Sequence, residues 1–405
     1  MKQGEMRIVR RVFTAVLACS LCLKGINVAA LGTYIPDQDT VATARGNAFV
    51  ALANNPSAIF YNPAGISQLD GWNLSGRIYG VLPQASYNGQ AGHAGTQNNI
   101  YLLPQFFLTW HPTNQIVSFG MGAYTPFGLG VDWGNNSVFR QVIIKNQLTY
   151  ISYSAVVSFQ ITPDLSIGAG PTFSTANLQI EQGIAPVNLG DSAKFDGNGE
   201  SYGGTLGVLW KATPQWSLGA LYRGSSAVKY NGTFSVQPGA LPIPVGTESA
   251  NLTLNTPNQV SFGAGYEITT NWQMEADATW SQWSCLQNVT IVKNSGDVVQ
   301  HFDWNDSWIV SLGTSYKLTH GYTLHGGFSY AQQSIPDSHF TPAIPDCDRY
   351  VLATGISKRF NRYLEASLAV QQVFGADRTI DNGITPPGTY SLNATAVTGS
   401  LLITF

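Results

Sequence analysis

"WQMEADATWSQWS" (Trp272–Ser284) is the stretch on which the fold of this chain turns. In an extended strand Met274, Ala276, Ala278 and Trp280 share one face, while Gln273, Glu275, Asp277, Thr279 and Ser281 share the other. Side chains alternate across a strand with period two, so one face is apolar and the other carries two acids. The pattern recurs. In "WIVSLGTSYKL" (Trp308–Leu318), Val310, Leu312, Tyr316 and Leu318 oppose Ser311, Gly313, Ser315 and Lys317. In "YTLHGGFSY" (Tyr322–Tyr330), Tyr322, Leu324, Phe328 and Tyr330 oppose Thr323, His325 and Ser329. A wall between lipid and a wet interior requires this alternation.

The composition agrees. Only 11% of the 405 residues are charged, against roughly 25% in soluble proteins. Aromatic residues reach 12% and Gly numbers 42, yet mean hydropathy is near zero. Past the N-terminus no apolar run approaches the roughly 20 residues of a membrane helix. These features predict an all-β transmembrane barrel.

Strands are expected at about 72–87, 99–112, 116–130, 147–161, 165–181, 200–213, 216–235, 249–269, 272–284, 306–318, 322–334, 349–360, 363–374 and 392–405. That makes about fourteen antiparallel strands, an even number that leaves both ends on the periplasmic side. Short connectors such as 162–164, 213–215 and 319–321 alternate with long ones near 131–146, 182–199, 236–248, 285–305, 335–348 and 375–391. Short periplasmic turns and long outer loops are the expected asymmetry of an outer-membrane barrel. The last strand ends on Phe405, the usual mark of delivery to outer-membrane assembly machinery.

The N-terminus reads as an export signal. Lys2, Arg7, Arg10 and Arg11 precede the apolar "VFTAVLACSLCL", and "VAA" (Val28–Ala30) offers small residues for cleavage. Residues 1–30 are therefore expected to be removed, leaving 15 basic against 22 acidic residues. That balance argues against a nucleic-acid partner, which needs a basic face. Cys285 and Cys347 remain, and two Cys in an exported protein can pair across outer loops.

Between signal and first strand lies "ANNPSAIFYNPAGISQLDG" (Ala53–Gly71), which has no strand or helix period. Irregular backbone in lipid would leave N–H and C=O groups unpaired at several kcal/mol each. A periplasmic tail should be charged, yet residues 41–69 carry only Arg45. The lumen is the better place for residues 31–71: they form a hatch, and 72–405 form the barrel it plugs.

"ARGNAFVALANNPSAIFYNPAGISQLDG" resembles the hatch of the FadL/TodX family of outer-membrane transporters, with "NPAGI" (Asn62–Ile66) its most recognisable motif. "YTPFGLG" (Tyr124–Gly130) resembles the end of the family's third strand, and "PDCDRYVLATGISKRF" its proline-aspartate loop end leading into a strand. The likeness runs from about residue 40 onward. It implies passive uptake of long-chain fatty acids or aromatic hydrocarbons, binding in an apolar lumen pocket, and sideways exit at a kinked third strand. It implies outer-membrane lipid and lipopolysaccharide as surroundings. No enzyme activity, cofactor or metal is implied.

Candidate site residues follow. Asn62, Pro63, Ala64 and Gly65 carry the hatch motif; Asn and Pro fix turns by side-chain bonding and a locked φ. Phe49, Ile59, Phe60 and Tyr61 offer apolar surface either to ligand or to the wall. On the third strand Gly120, Gly122, Pro126 and Gly128 weaken the ladder, marking either a lateral gate or barrel-corner glycines. Tyr124 and Phe127 are pocket candidates there. By strand parity Arg77, Arg223, Lys229 and Lys317 point inward and would meet a carboxylate. Glu275 and Asp277 do so too, favouring internal charge networks that hold the hatch.

"GESYG" (Gly199–Gly203) matches a nucleophile pattern that needs a helix after it, whereas an alternating strand follows. The six His (93, 111, 301, 320, 325, 339) show no metal-ligand spacing. The rivals to transport are a non-transport barrel, adhesin or lipid hydrolase, and an open porin, which a hatch would occlude.

Overall fold

The computed structural model describes residues 33–112, 115–243 and 245–405. The expected signal peptide and mature start near Leu31 lie outside the described residues.

Fourteen wall strands form one antiparallel sheet closed on itself: β1 (Gly71–Gly89), β2 (Tyr101–His111), β3 (Val117–Asp132), β4 (Lys145–Thr162), β5 (Leu165–Gln182), β6 (Ser192–Lys211), β7 (Trp216–Arg223 and Ser226–Gln237), β8 (Gly246–Thr256 and Gln259–Thr269), β9 (Trp272–Ser281), β10 (Ser307–Lys317), β11 (Tyr322–Ala331), β12 (Arg349–Arg359), β13 (Leu364–Gly375) and β14 (Gly388–Thr404). Closure comes from β1, which pairs with β2 from Gly71↔His111 to Val81↔Tyr101 and with β14 from Asn73↔Thr404 to Gly89↔Gly388. The segments Gly92–Gly95, Asn288–Lys293, Val298–His301 and Arg378–Ile380 are short extensions in the outer loops.

The alternation read in β9 holds. Glu275, Asp277 and Ser281 are buried inward while Trp272 and Met274 are exposed outward. Ile78, Leu102, Met121, Phe262, Leu312, Leu352 and Leu401 add to the exposed apolar band. Trp216, Trp272 and Tyr322 near the short turns, with Tyr222, Trp308 and Tyr350 at the other end, supply aromatic girdles. The strand carrying Gly199–Gly203 continues to Lys211, so that pattern has no helix behind it.

Two expected strands, 216–235 and 249–269, are each broken. β7 stops at Arg223 and resumes at Ser226; β8 stops at Thr256 and resumes at Gln259. Between Thr205↔Arg223 and Glu200↔Lys229, β6 advances five residues and β7 six. One extra residue is a bulge, and it exchanges the faces of everything beyond it. Val228 and Tyr230 are therefore buried inside, and Lys229 is exposed outside. The parity reading of Lys229 as inward is wrong for this reason.

The N-terminal segment fills the barrel. Helix α1 (Thr40–Ala44) is capped by Asp39, whose carboxylate accepts from Ala42 N–H at 2.9 Å. Helix α2 (Ala58–Tyr61) leads into a 3-10 turn, Pro63–Gln68. A hatch cluster of Ala42, Phe49, Ala58, Ile59, Phe60 and Ile66 packs on Phe107, Tyr124 and Val156 of the wall. Above it a larger cluster, including Phe127, Tyr150, Phe195, Tyr230, Trp283 and Trp304, occupies the outer half of the lumen. The outer loops close over that cluster: Trp133 donates its indole N–H to Pro342 O at 2.9 Å, and Asn146 its amide to Ala343 O at 3.0 Å.

Candidate functional site: a gap in the wall and the hatch that closes it

The ladder between β2 and β3 is short. It runs from Phe106↔Ala123 to Trp110↔Phe119 and stops there. Tyr101–Gln105 still pair with β1, and β3 still pairs with β4 as far as Asp132↔Lys145. The register of β3 on β4 shifts between Tyr124 and Phe127, around Pro126. A proline has no N–H to give, and a bulge bends its strand, so β3 leans away from β2 at this point.

The hatch covers the exposed edge. Tyr34 forms an antiparallel bridge with Phe127. Ile35 N–H donates to Pro126 O at 2.8 Å, and Gly128 N–H donates to Thr33 O at 2.9 Å. Next along, the Gln38 side chain imitates a strand partner. It donates to Thr125 O at 2.8 Å and accepts Thr125 N–H at 3.0 Å. Gln105 on β2 donates to the same Gln38 Oε1 at 3.2 Å, so one buried amide bridges both sides of the gap. Neither Tyr34 nor Gln38 was singled out from the sequence. Only the interrupted β2–β3 pairing gives them their place.

Below the gap, Asn62 caps the 3-10 turn through Ala64 N–H at 3.2 Å. Its amide donates to Val50 O and to Val208 O of β6, both at 2.9 Å. Pro63 and Ala64 lie against Gly168 and Gly207, where a Cβ would overlap the hatch backbone or the Asn62 side chain. Gly65 is likewise closed in by Ala53 and Ala58. On β3, Gly120 and Gly122 face Ile59 and Phe107, with a Cβ only 2.9 Å from Ile59 Cγ1 and 2.7 Å from Phe107 Cδ1. These glycines make room for the hatch; the register shift lies further on, at Tyr124/Phe127.

Two carboxylates of β9 hold the hatch by its backbone. Asp277 accepts from Phe49 N–H at 2.7 Å and Val50 N–H at 2.9 Å. Glu275 accepts from Ala51 N–H at 2.5 Å and Leu52 N–H at 3.2 Å, and pairs with Arg45 at 2.9 Å. All three side chains are buried. This is the charge network that inward acids on one strand imply.

The remaining cations have other partners. Arg77 is buried and donates to Thr398 and Thr43 hydroxyls. Arg223 donates to Gln259 Oε1 at 2.6 Å and Phe60 O at 2.8 Å, and lies 4.1 Å over the Phe60 ring. Lys317 keeps the inward parity but sits past the last buried position, exposed at the rim beside Thr270 O. Parity describes which way it points, and the strand simply ends too soon to enclose it.

Among the apolar candidates, Tyr124 and Phe127 flank the gap. Tyr124 packs on Phe60 at 5.2 Å and hydrogen-bonds Ser154; Phe127 packs on Tyr34, Tyr150 and Trp283. Phe49, Ile59 and Tyr61 are buried inside the hatch. Tyr61 OH donates to Pro36 O and accepts Gln38 N–H, tying the helical part to the latch. Cys285 and Cys347 carry free thiols, so the expected disulfide is not formed. Cys347 is buried against Gly375 on β13, whereas Cys285 lies beside Asn255 on β8, so their loops close on different parts of the wall.

The family described as outer membrane protein transport protein (OMPP1/FadL/TodX) matches residues 21–402. The long-chain fatty acid transport protein of Salmonella typhi is 22% identical over 371 residues, 82% of this chain and 85% of that protein. That of Escherichia coli K12 is 22% identical over 382 residues, with the same shares. Among solved structures, a Pseudomonas aeruginosa FadL homologue superposes with TM-score 0.82 at 21% identity, covering 92% of this chain and all of that one. The toluene transporter TodX of P. putida gives 0.76 at 21%, covering 93% and 99%. Closed barrel, internal hatch and a match across nearly the whole length agree: this chain belongs to the OMPP1/FadL/TodX family of outer membrane transport proteins.

Proposed function

We propose that this barrel carries hydrophobic small molecules passively across the outer membrane, from an apolar outer lumen sideways into the bilayer between β2 and β3. The observation that carries the reading is the β3 edge that β2 leaves unpaired from Tyr124 onward, where Thr33–Ile35 and Gln38 of the hatch take the place of the missing strand. Family membership and relatives named as fatty acid and toluene transporters support it. Burying each CH₂ is worth roughly 0.8 kcal/mol, so lipid is a downhill destination and no energy source is needed.

In this reading Phe127 and Tyr124 contact the solute as it passes, with Phe60 beneath them. Asn62, Pro63, Ala64 and Gly65 seat the hatch, and Phe49, Ile59 and Tyr61 pack it. Arg223 clamps the hatch through Phe60 O. The chain acts as a conduit and performs no catalysis. Its outer surface meets lipid and lipopolysaccharide, and the strand ending near Phe405 engages the assembly machinery.

The test is uptake of labelled toluene and labelled laurate by cells lacking their own transporters. They express this chain or an Asn62→Ala, Pro63→Ala variant at matched surface levels. Faster entry of either solute, lost in the variant, supports the reading. No gain over empty cells from a folded barrel overturns it.

A further inference from the structure

We infer that the solute taken up is uncharged and ring-bearing, and that free carboxylates are turned away. This rests on the uptake reading above and narrows it to one substrate class.

The first observation is the charge at the outer end. Segments 131–146, 180–200, 229–250, 285–306, 335–349 and 376–390, which rise to the outer loops, hold fourteen Asp and Glu against seven Lys and Arg. This rim therefore carries −7 with His neutral. A mouth of one sign raises the local concentration of opposite charges and lowers that of like charges. A fatty carboxylate at neutral pH arrives against that field, whereas a hydrocarbon does not feel it.

The second observation is what waits inside. Arg223, the cation nearest Tyr124 and Phe60, is engaged by a side-chain carbonyl, a backbone carbonyl and a ring face. Arg45 is held by Glu275, Arg140 by Asp191 and Arg378 by Asp337. Arg77 is committed to the hydroxyls of Thr398 and of Thr43 in the hatch, away from the outer cluster, and Lys229 and Lys317 stand exposed outside the lumen. A carboxylate entering the outer cluster would lose its water without gaining a free partner, and buried charges are tolerated only when paired.

The third observation is the lining beside the gap. Tyr34, Tyr150 and Trp283 surround Phe127, the last two edge-on at 5.2 and 6.3 Å. Aromatic rings attract one another edge-to-face or offset-stacked, so a flat ring entering beside Phe127 meets partners in a geometry that an alkyl chain cannot use.

The toluene and laurate assay reads this directly when the two rates are compared in the same cells. Toluene is expected to exceed the empty-cell rate, with laurate at least about tenfold below toluene, the low end of what a mouth of one sign does to a like-charged solute. A double variant, Glu200→Lys with Asp381→Lys, both exposed on the rim, should raise the encounter of laurate at low salt without making it outpace toluene. Laurate entering as fast as toluene, especially if Arg223→Gln abolishes it, overturns the inference and leaves the uptake reading standing. If neither enters, the uptake reading itself fails and this inference with it.

Discussion

Tyr34 and Phe127 face each other across an antiparallel bridge, rings 5.7 Å apart, where β3 no longer pairs with the wall strand β2. The hatch thus completes the barrel wall as well as plugging its bore. Anything leaving through that wall, as proposed above, would have to displace a strand that belongs to the plug, because this patch of wall and the plug are one piece of chain.

That relationship is open to a lock. Facing Cα atoms of an antiparallel pair lie about 4.5–5.5 Å apart, within disulfide range. Tyr34→Cys with Phe127→Cys, in a background with Cys285→Ser and Cys347→Ala, should cross-link on oxidation. Uptake should fall to the empty-cell rate and return on reduction. Undiminished uptake by the oxidised, cross-linked protein would show that the gap is not the exit.

Removing the β9 carboxylates should free the hatch while the barrel remains. Glu275→Ala strands Arg45 in a buried site and leaves two N–H groups unpaired; breaking a buried pair from one side costs about 3–5 kcal/mol. Asp277→Ala unpairs two more N–H groups, at about 1–3 kcal/mol each. Either change should raise single-channel conductance in planar bilayers and sensitise cells to large antibiotics. Heat-modifiable gel mobility, which reports the barrel, should persist.

Gly207 is spared a side chain because Asn62 and Pro63 occupy that space. Gly207→Leu should therefore unseat the hatch and produce the same leak. Gly246→Ala, on the outer part of β8 with nothing within 4 Å, is the control and should change nothing. Equal conductance of the two variants would mean that the close approach at Gly207 is not needed.

The outer loops have their own acid-sensitive tie. Burial by itself would raise the Asp191 carboxyl, but the N–H of Ala185, the Arg140 guanidinium and the N–H groups of Ile184 and Leu189 outweigh it. The group is held well below its ordinary value of about 3.9. A depressed folded-state value adds stability that is whole above the ordinary value and is lost as pH falls through the depressed one. Pepsin cleavage between 183 and 191 should thus stay slow down to about pH 4 and quicken below it. Asp191→Asn should cleave readily throughout.

The thiols give a simpler check. Burial pushes Cys347 up to about 12 and Cys285 up to about 11. Neither should react with iodoacetamide at pH 7.5 in the folded protein. Both should be alkylated after unfolding without reductant, as seen by mass. A mass loss of two hydrogens instead would restore the loop disulfide.

Much of this molecule is written in local pattern. The two-residue period of β9 placed Glu275 and Asp277 inside with the hatch, and "NPAG" between aperiodic neighbours marked the plug, because side-chain direction in a strand is set by the backbone alone. Lys229 shows where that rule fails. Its direction depends on one extra residue in β7 relative to β6, a fact about pairing between strands that neither strand displays by itself. The same holds for Tyr34 and Gln38, which are ordinary residues until β2 stops pairing with β3. Alternation, girdles and plug were determined by the sequence through short-range geometry. Register, the gap and the hatch strand that fills it were decided by the closed barrel, because a hydrogen bond missing from one ladder has to be made by whatever chain can reach it.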